Sequence, residues 1–201
     1  MTDTTPWISP VTLCRNGLRL EPLGPQHAEG LAAAARDGEL WKLRVTGVPD
    51  PGDEAAYIAT ATQMQDAGSR LPFAVIDEAS GRVLGSTSYH DILPAVKRLE
   101  IGYTWYARSA QRSHVNTTAK LMLLTHAFET LDCIAVEFRT HRLNTQSRRA
   151  IERLGAQLDG ILRAHQRSPD GTLRDTAVYS ITAAEWPTIR THLRWQLERP
   201  R

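Results

Sequence analysis

Two stretches of the chain hold polar side chains in an order that suits the binding of an anion. The first runs from Glu100 to Lys120, where a strand-like segment passes through a polar loop into the start of a helix. Amide groups at a helix start lack intrahelical partners and carry partial positive charge, so they fit a phosphate. Arg108 and Arg112 add charge there, and Ser113, Thr117 and Thr118 add hydroxyl donors. The simpler role for the same residues is to cap a helix, with Asn116 as the N-cap. The second stretch is Asn144 to Gly155. Asn144 opens a helix and Ser147, three residues on, faces the same way. From residue types alone these two are a cap and a solvated first-turn residue, and the adjacent Arg148 and Arg149 are a solvated helix face.

The elements that must position these residues follow from periodicity. Leu18 and Leu20 alternate with charged residues in a first strand over 11–23. Pro25 opens a helix that reaches about Trp41. Val45 to Gly52 is a Gly- and Pro-containing loop, and a second helix runs from Asp53 to about Ala67 before Gly68. Three strands follow, Leu71–Asp77, Arg82–Ile92 and Leu99–Tyr106. Leu121, Leu124, Phe128 and Leu131 define one face of a helix. Ile134–Phe138 alternates as a strand, and a short helix spans about Asn144–Leu154 with Gly155 as its cap. Two strands flank Pro169-Asp170-Gly171. A last helix begins near Ala183, where Thr182 and Glu185 have capping-box spacing and Pro187 fits poorly. Adjacent strands imply antiparallel pairing, whereas Leu99 to Phe138 implies a parallel crossover. The expected fold is a mixed α/β single domain over 11–201, with a mostly antiparallel, splayed sheet and flanking helices. Residues 1–10 are expected to be a flexible segment. A crevice is expected where antiparallel pairing gives way to parallel.

Composition narrows the function. The chain has 201 residues, 41% hydrophobic and 23% charged, as in ordinary globular proteins. It holds 21 Arg and 3 Lys, but the net charge is only +2, too weak to argue for a nucleic-acid partner. The Arg-rich stretch Arg139–Arg153 is the best support for such a partner. No apolar run is long enough to span a bilayer, and Met1 to Pro10 does not read as a secretory leader. A cytoplasmic setting is expected. Cys14 and Cys133 are expected to be unpaired. The scattered His residues show no metal-binding spacing, so no metal is expected.

Several segments together resemble the GNAT superfamily of acyl-CoA N-acyltransferases, and within it the branch of ribosomal-protein N-terminal acetyltransferases. They are Leu84-Gly85 through Tyr89-His-Asp91-Ile92, then Glu100-Ile-Gly-Tyr103, then Asn144 to Gly155, and the ending Tyr179-Ser-Ile181 with Glu185-Trp186-Pro187. The resemblance covers about residues 12–197. It implies acetyl-CoA or another acyl-CoA as co-substrate, a primary amine of a protein N-terminus or small molecule as acceptor, and a possible homodimer. A non-catalytic acyl-CoA-binding protein of the same fold is the alternative. In this family the loop before the central helix carries Gln/Arg-x-x-Gly-x-Gly/Ala. The matching run here is Gln111-Arg112-Ser113-His114-Val115-Asn116, with both small positions replaced and no glycine between Gly102 and Gly155. His and Asn can take the left-handed conformation that glycine would supply.

The resemblance also implies roles. Trp105, Tyr106 and Ala107 offer backbone groups to the pantetheine arm. Gln111 through Asn116, with Thr117, wrap the pyrophosphate, and Arg149, with Arg148 beside it, reaches the nucleotide phosphates. Asn144 bonds the arm near its thiol end. Ser147 is the acid that protonates the leaving thiolate, and Glu100 the base acting on the amine, directly or through water. The segment Trp41 to Tyr57 suits a cover over the acceptor, with Trp41, Tyr89 and Tyr103 as candidate walls of its pocket.

Overall fold

Asn16 and Gly17 decide how the sheet begins. Both have positive φ, 50° and 72°, the conformation a tight two-residue hairpin turn requires. They split the expected first strand into β1 (Leu13–Arg15) and β2 (Leu18–Pro22), paired Leu13 to Leu20 and Arg15 to Leu18. The computed structural model describes residues 6–43, 47–168 and 170–199. Trp7 donates its indole N–H to the Leu131 carbonyl at 3.0 Å and packs on the core. Ile8 packs on the core beside it.

The remaining elements are α1 (Ala28–Arg36), α2 (Glu54–Asp66), β3 (Arg70–Asp77), β4 (Val83–Leu93), β5 (Arg98–Tyr106) and α3 (Val115–Thr125). After them come β6 (Ala135–His141), α4 (Thr145–Glu152), β7 (Gln157–Arg167), β8 (Leu173–Thr182) and α5 (Trp186–Glu198). The first helix is shorter than its pattern suggested. It stops at Arg36, and left-handed residues at Gly38 (φ 101°) and Glu39 (φ 50°) turn the chain into a separate short turn at Leu40–Lys42. Of the expected loop from Val45 to Gly52, Val45 and Thr46 lie outside the described residues, as does Pro169 of the later turn. Pro187 falls in the first turn of α5, where its missing N–H costs nothing. Glu185 accepts from the amide and hydroxyl of Thr182, both at 2.8 Å.

The eight strands form one sheet in the order β1-β2-β3-β4-β5-β6-β8-β7. Every pair is antiparallel except β5 and β6. That parallel pairing holds for three positions only, ending at Glu100 opposite Glu137. Beyond Glu100 the two strands part. The core lies between sheet and helices, with Tyr89, Tyr179, Phe73, Leu121 and Leu124 fully buried. No described helix is long and apolar enough to cross a membrane.

Candidate active site

The cleft starts where β5 leaves β6. Residues 101–106 of β5 pair with β4 on one side and, among the described residues, with no strand on the other. A bulge reinforces the parting. The β4–β5 register shifts between Ser86 and Ser88, and Tyr103 takes a positive φ of 48°. Bulges add local twist and redirect side chains. The resulting cleft holds about 950 Å³, the size of an ordinary small-molecule site.

Its walls bring together most of the residues singled out from the sequence. Glu100, Tyr103, Trp105, Tyr106, Gln111, Arg112, Ser113, Asn116, Asn144, Ser147 and Arg149 all line it. Each is placed for a local reason. The Trp105 indole donates to the Tyr57 hydroxyl of α2 at 3.3 Å, which anchors its side chain on that neighbour. The Gln111 amide donates to the Tyr106 carbonyl at 2.9 Å. Asn144 caps α4 by accepting the Ser147 amide at 3.0 Å, so the cap fixes both residues at one end of the helix.

Other expectations are corrected. Tyr89 is a core residue. It is fully buried, its hydroxyl donates to the Leu123 carbonyl at 2.5 Å, and its ring packs against Phe73 and His126. Trp41 packs on the core outside the cleft walls, whereas Leu40, Leu43 and Gly47 of the same connection do line it. Ala107 and Val115 are buried, and the Ala107 amide donates to the Leu84 carbonyl at 2.7 Å. Thr117 is buried and accepts from Arg153 at 3.0 Å. His114 is exposed and off the cleft. Arg148 donates to the Tyr179 hydroxyl at 2.8 Å and is likewise off the cleft.

The glycine-free loop solves its geometry in an unexpected place. His114 has φ −70° in the right-handed region. The left-handed residue is Arg112, at φ 57°. Ser113, not Asn116, serves the helix start by accepting the Val115 amide at 3.2 Å. Strain at Arg112 is on the order of 1 kcal/mol.

The sequence reading missed three residues. Lys120 is buried on α3, lines the cleft, and donates to the hydroxyls of Thr104 at 2.8 Å and Thr87 at 3.2 Å. Burial pulls its amine down to about 7. His90 sits on β4 directly opposite Glu100, with Nε2 3.2 Å from Glu100 Oε1 and Nδ1 3.6 Å from Asp91 Oδ1. Arg139 on β6 reaches Asp91 at 3.1 Å and Glu137 at 2.8 Å, and its Nε lies 3.5 Å from Glu100 Oε2. A signal for His90 was present in the hairpin. Folding β4 back on β5 about residue 95 places 90 opposite 100. His90, Asp91 and Glu100 have ligand-type atoms within 4.8 Å of one another. The Arg139 guanidinium already contacts both carboxylates of this cluster, so the donor set suits an ion-pair network more than a cation.

The residues present fit an acyl-CoA. The unpartnered edge of β5 offers main-chain groups to an extended arm. Four cleft-lining side chains, Glu100, Tyr106, Arg139 and Arg174, carry buried polar atoms without a hydrogen-bond partner. Arg112 and Arg149 supply positive charge on the walls.

Comparison with known proteins agrees with this geometry. The model of the acetyltransferase (GNAT) domain family matches residues 17–157. The chain belongs to the GNAT acetyltransferase family. This GNAT protein is 24% identical over 176 residues to an uncharacterized N-acetyltransferase, p20, of Bacillus licheniformis, across 87% of this chain and 98% of that one. It superposes on a GCN5-related N-acetyltransferase from Brucella melitensis with a TM-score of 0.85 and 30% identity, covering 98% of this chain and 90% of the other. It shares its fold, at TM-score 0.72 and 17% identity, with RimL, a ribosomal L7/L12 alpha-N-protein acetyltransferase in complex with coenzyme A, covering 86% and 98% of the two chains. The GNAT protein is thus an N-acetyltransferase by family, with the open mixed sheet of its structural relatives.

Proposed function

We propose that this N-acetyltransferase moves an acyl group, acetyl first among candidates, from acyl-CoA directly to a primary amine of a protein N-terminus or a small molecule. The observation that carries the reading is the free edge of β5 beyond Glu100, facing Asn144 and Ser147 across the cleft. The free edge pairs with the extended arm as an added strand would. Arg112 and Arg149 hold the phosphates, and Asn144 orients the arm near its thiol end. Acyl-CoA supplies an activated carbonyl with a thiolate leaving group. Ser147 gives a proton to that thiolate. Glu100 serves the amine side of the reaction. An α-amine, with a pKa near 8, is partly neutral at pH 7 and needs little help to lose a proton, in contrast to Lys near 10.4. RimL's α-amine acceptor is in keeping with an α-amine here. A cytoplasmic setting and a homodimer go with the reading. The free thiols Cys14 and Cys133 are in keeping with a reducing compartment.

The test is thiol release from acetyl-, propionyl- and succinyl-CoA against a panel of peptides and small amines, with thermal shift alongside. Release with at least one pair is expected. Stabilisation by CoA without release from any amine would count against the reading.

A further inference from the structure

Three features of the Glu100 carboxylate keep an incoming amine from reaching it directly. It is 3% exposed. Its Oε1 accepts the backbone amide of Arg139 at 3.0 Å and lies 3.2 Å from His90 Nε2. Its Oε2 faces the Arg139 guanidinium at 3.5 Å. A carboxylate this buried, with Oε1 held by a main-chain N–H and Oε2 set against a guanidinium without a hydrogen bond of its own, is shielded from an incoming amine.

His90 has the opposite character. Its imidazole lines the cleft at the point where the strands part. Three contacts fix it. Glu100 lies against Nε2. The Tyr103 ring packs edge-on at 4.9 Å, and the left-handed bulge holds that ring in place. Gly102 lies beneath the imidazole, and a β-carbon at that position would collide with Nε2. This is the third reason, beside the cross-strand register and the bulge, that the ring can occupy this spot at all. Nε2 lies 3.2 Å from Glu100 Oε1, and a proton held on Nε2 leaves the lone pair on Nδ1.

We propose that His90 Nδ1 is the proton acceptor for the attacking amine, and that Glu100 is a positioning residue that fixes the imidazole's tautomer and steadies the imidazolium. The assignment rests on the N-acyltransfer reading above. In the step, the amine lone pair forms a carbon–nitrogen bond to the thioester carbonyl carbon. The amine proton passes to Nδ1, the carbon–sulfur bond breaks, and the sulfur leaves with its electron pair and takes a proton from Ser147 or solvent. The groups facing His90 are Arg70, its register partner on β3, Asp91 on its own strand, Glu100 and Tyr103 on β5, and Arg139 on β6.

The experiment measures kcat and the pH profile of kcat/KM for the full chain with acetyl-CoA and the best amine, and CoA stabilisation by thermal shift, for four variants. His90→Gln is expected to lower kcat by about 10²–10⁴-fold, to remove the acidic limb of the profile, and to keep the CoA-induced shift. His90→Ala is expected to regain activity with added imidazole, a response no structural role would give. Gly102→Ala is expected to lower kcat while the CoA shift persists. Glu100→Gln is expected to keep part of kcat and displace the acidic limb. A His90→Gln protein with kcat within a few-fold of the unsubstituted one overturns the proposal. So does a folded, CoA-binding His90→Ala protein that imidazole leaves unchanged. If the unsubstituted protein releases no thiol with any amine of the panel, the N-acyltransfer reading itself fails and the role of His90 falls with it.

Discussion

The Glu100 carboxylate accepts the Arg139 amide at 3.0 Å across the place where β5 and β6 separate. The two strands share three ladder positions and then diverge, so this amide would otherwise meet an empty edge. A side chain replaces the missing strand partner. Glu100→Ala should therefore cost about 1–3 kcal/mol of stability, the usual penalty for leaving a buried donor unpaired. Urea denaturation would measure it, and an unchanged midpoint would count against a latch at this position.

Lys120 gives a pH-dependent prediction. Its amine keeps its proton up to about 10.5 in the unfolded chain but only to about 7 in the fold, because burial penalises the charge. Between those values the unfolded state binds more protons, so stability rises with pH across that window. Lys120→Met should stabilise the protein most at and below pH 7, by roughly a few kcal/mol, and the gain should shrink as pH approaches 10. The Thr87 and Thr104 hydroxyls it leaves behind already bond each other at 2.7 Å. Denaturant midpoints at pH 6.5, 8 and 9.5 would show whether the difference narrows.

Arg112 and Arg149 line the cleft from two separate elements. Replacing either by Ala should weaken CoA binding about 5–10-fold, a loss of roughly 1 kcal/mol. The losses should diminish at high salt, because contacts between exposed charges are screened. Titration calorimetry at two ionic strengths is the measurement. Arg148→Ala, which breaks the contact to Tyr179, should leave CoA affinity alone.

Tyr89→Phe separates a core role from a substrate role. Losing the bond to the Leu123 carbonyl should lower stability by about 1 kcal/mol, with KM for the amine unchanged. A raised KM at constant stability would restore Tyr89 to the acceptor pocket.

The fold was legible in the sequence wherever periodicity ran long enough. The helix through Leu121 and Leu124 and the alternating strand of Val136 and Phe138 gave the crossover, and the crossover gave the crevice. Short-range turn chemistry was overlooked at Asn16-Gly17, which split a strand that alternation alone could not divide. The site was legible where a residue sits near a cleft wall for local reasons, as with Asn144 and Ser147 at one helix start. It was not legible where tertiary packing decides. Tyr89 and Tyr103 are alike as letters, yet strand alternation sends Tyr89 into the core while a bulge turns Tyr103 toward the cleft. The left-handed residue of the loop was expected at His114 or Asn116 and lies at Arg112, because backbone strain can move along a loop to whichever position the flanking elements dictate.

The free edge of β5 has a consequence for how this protein can change over time. Recognition through peptide groups depends on where the main chain runs, not on which side chains hang from it. Substitutions along residues 101–106 that preserve the bulge should therefore spare the arm-binding function. The cleft walls supplied by side chains of the α1–α2 connection and of β7 and β8 enjoy no such protection. One wall of the cleft is buffered against mutation and the others are open to it, which lets a single scaffold keep what its strand edge holds while exchanging what its side chains select.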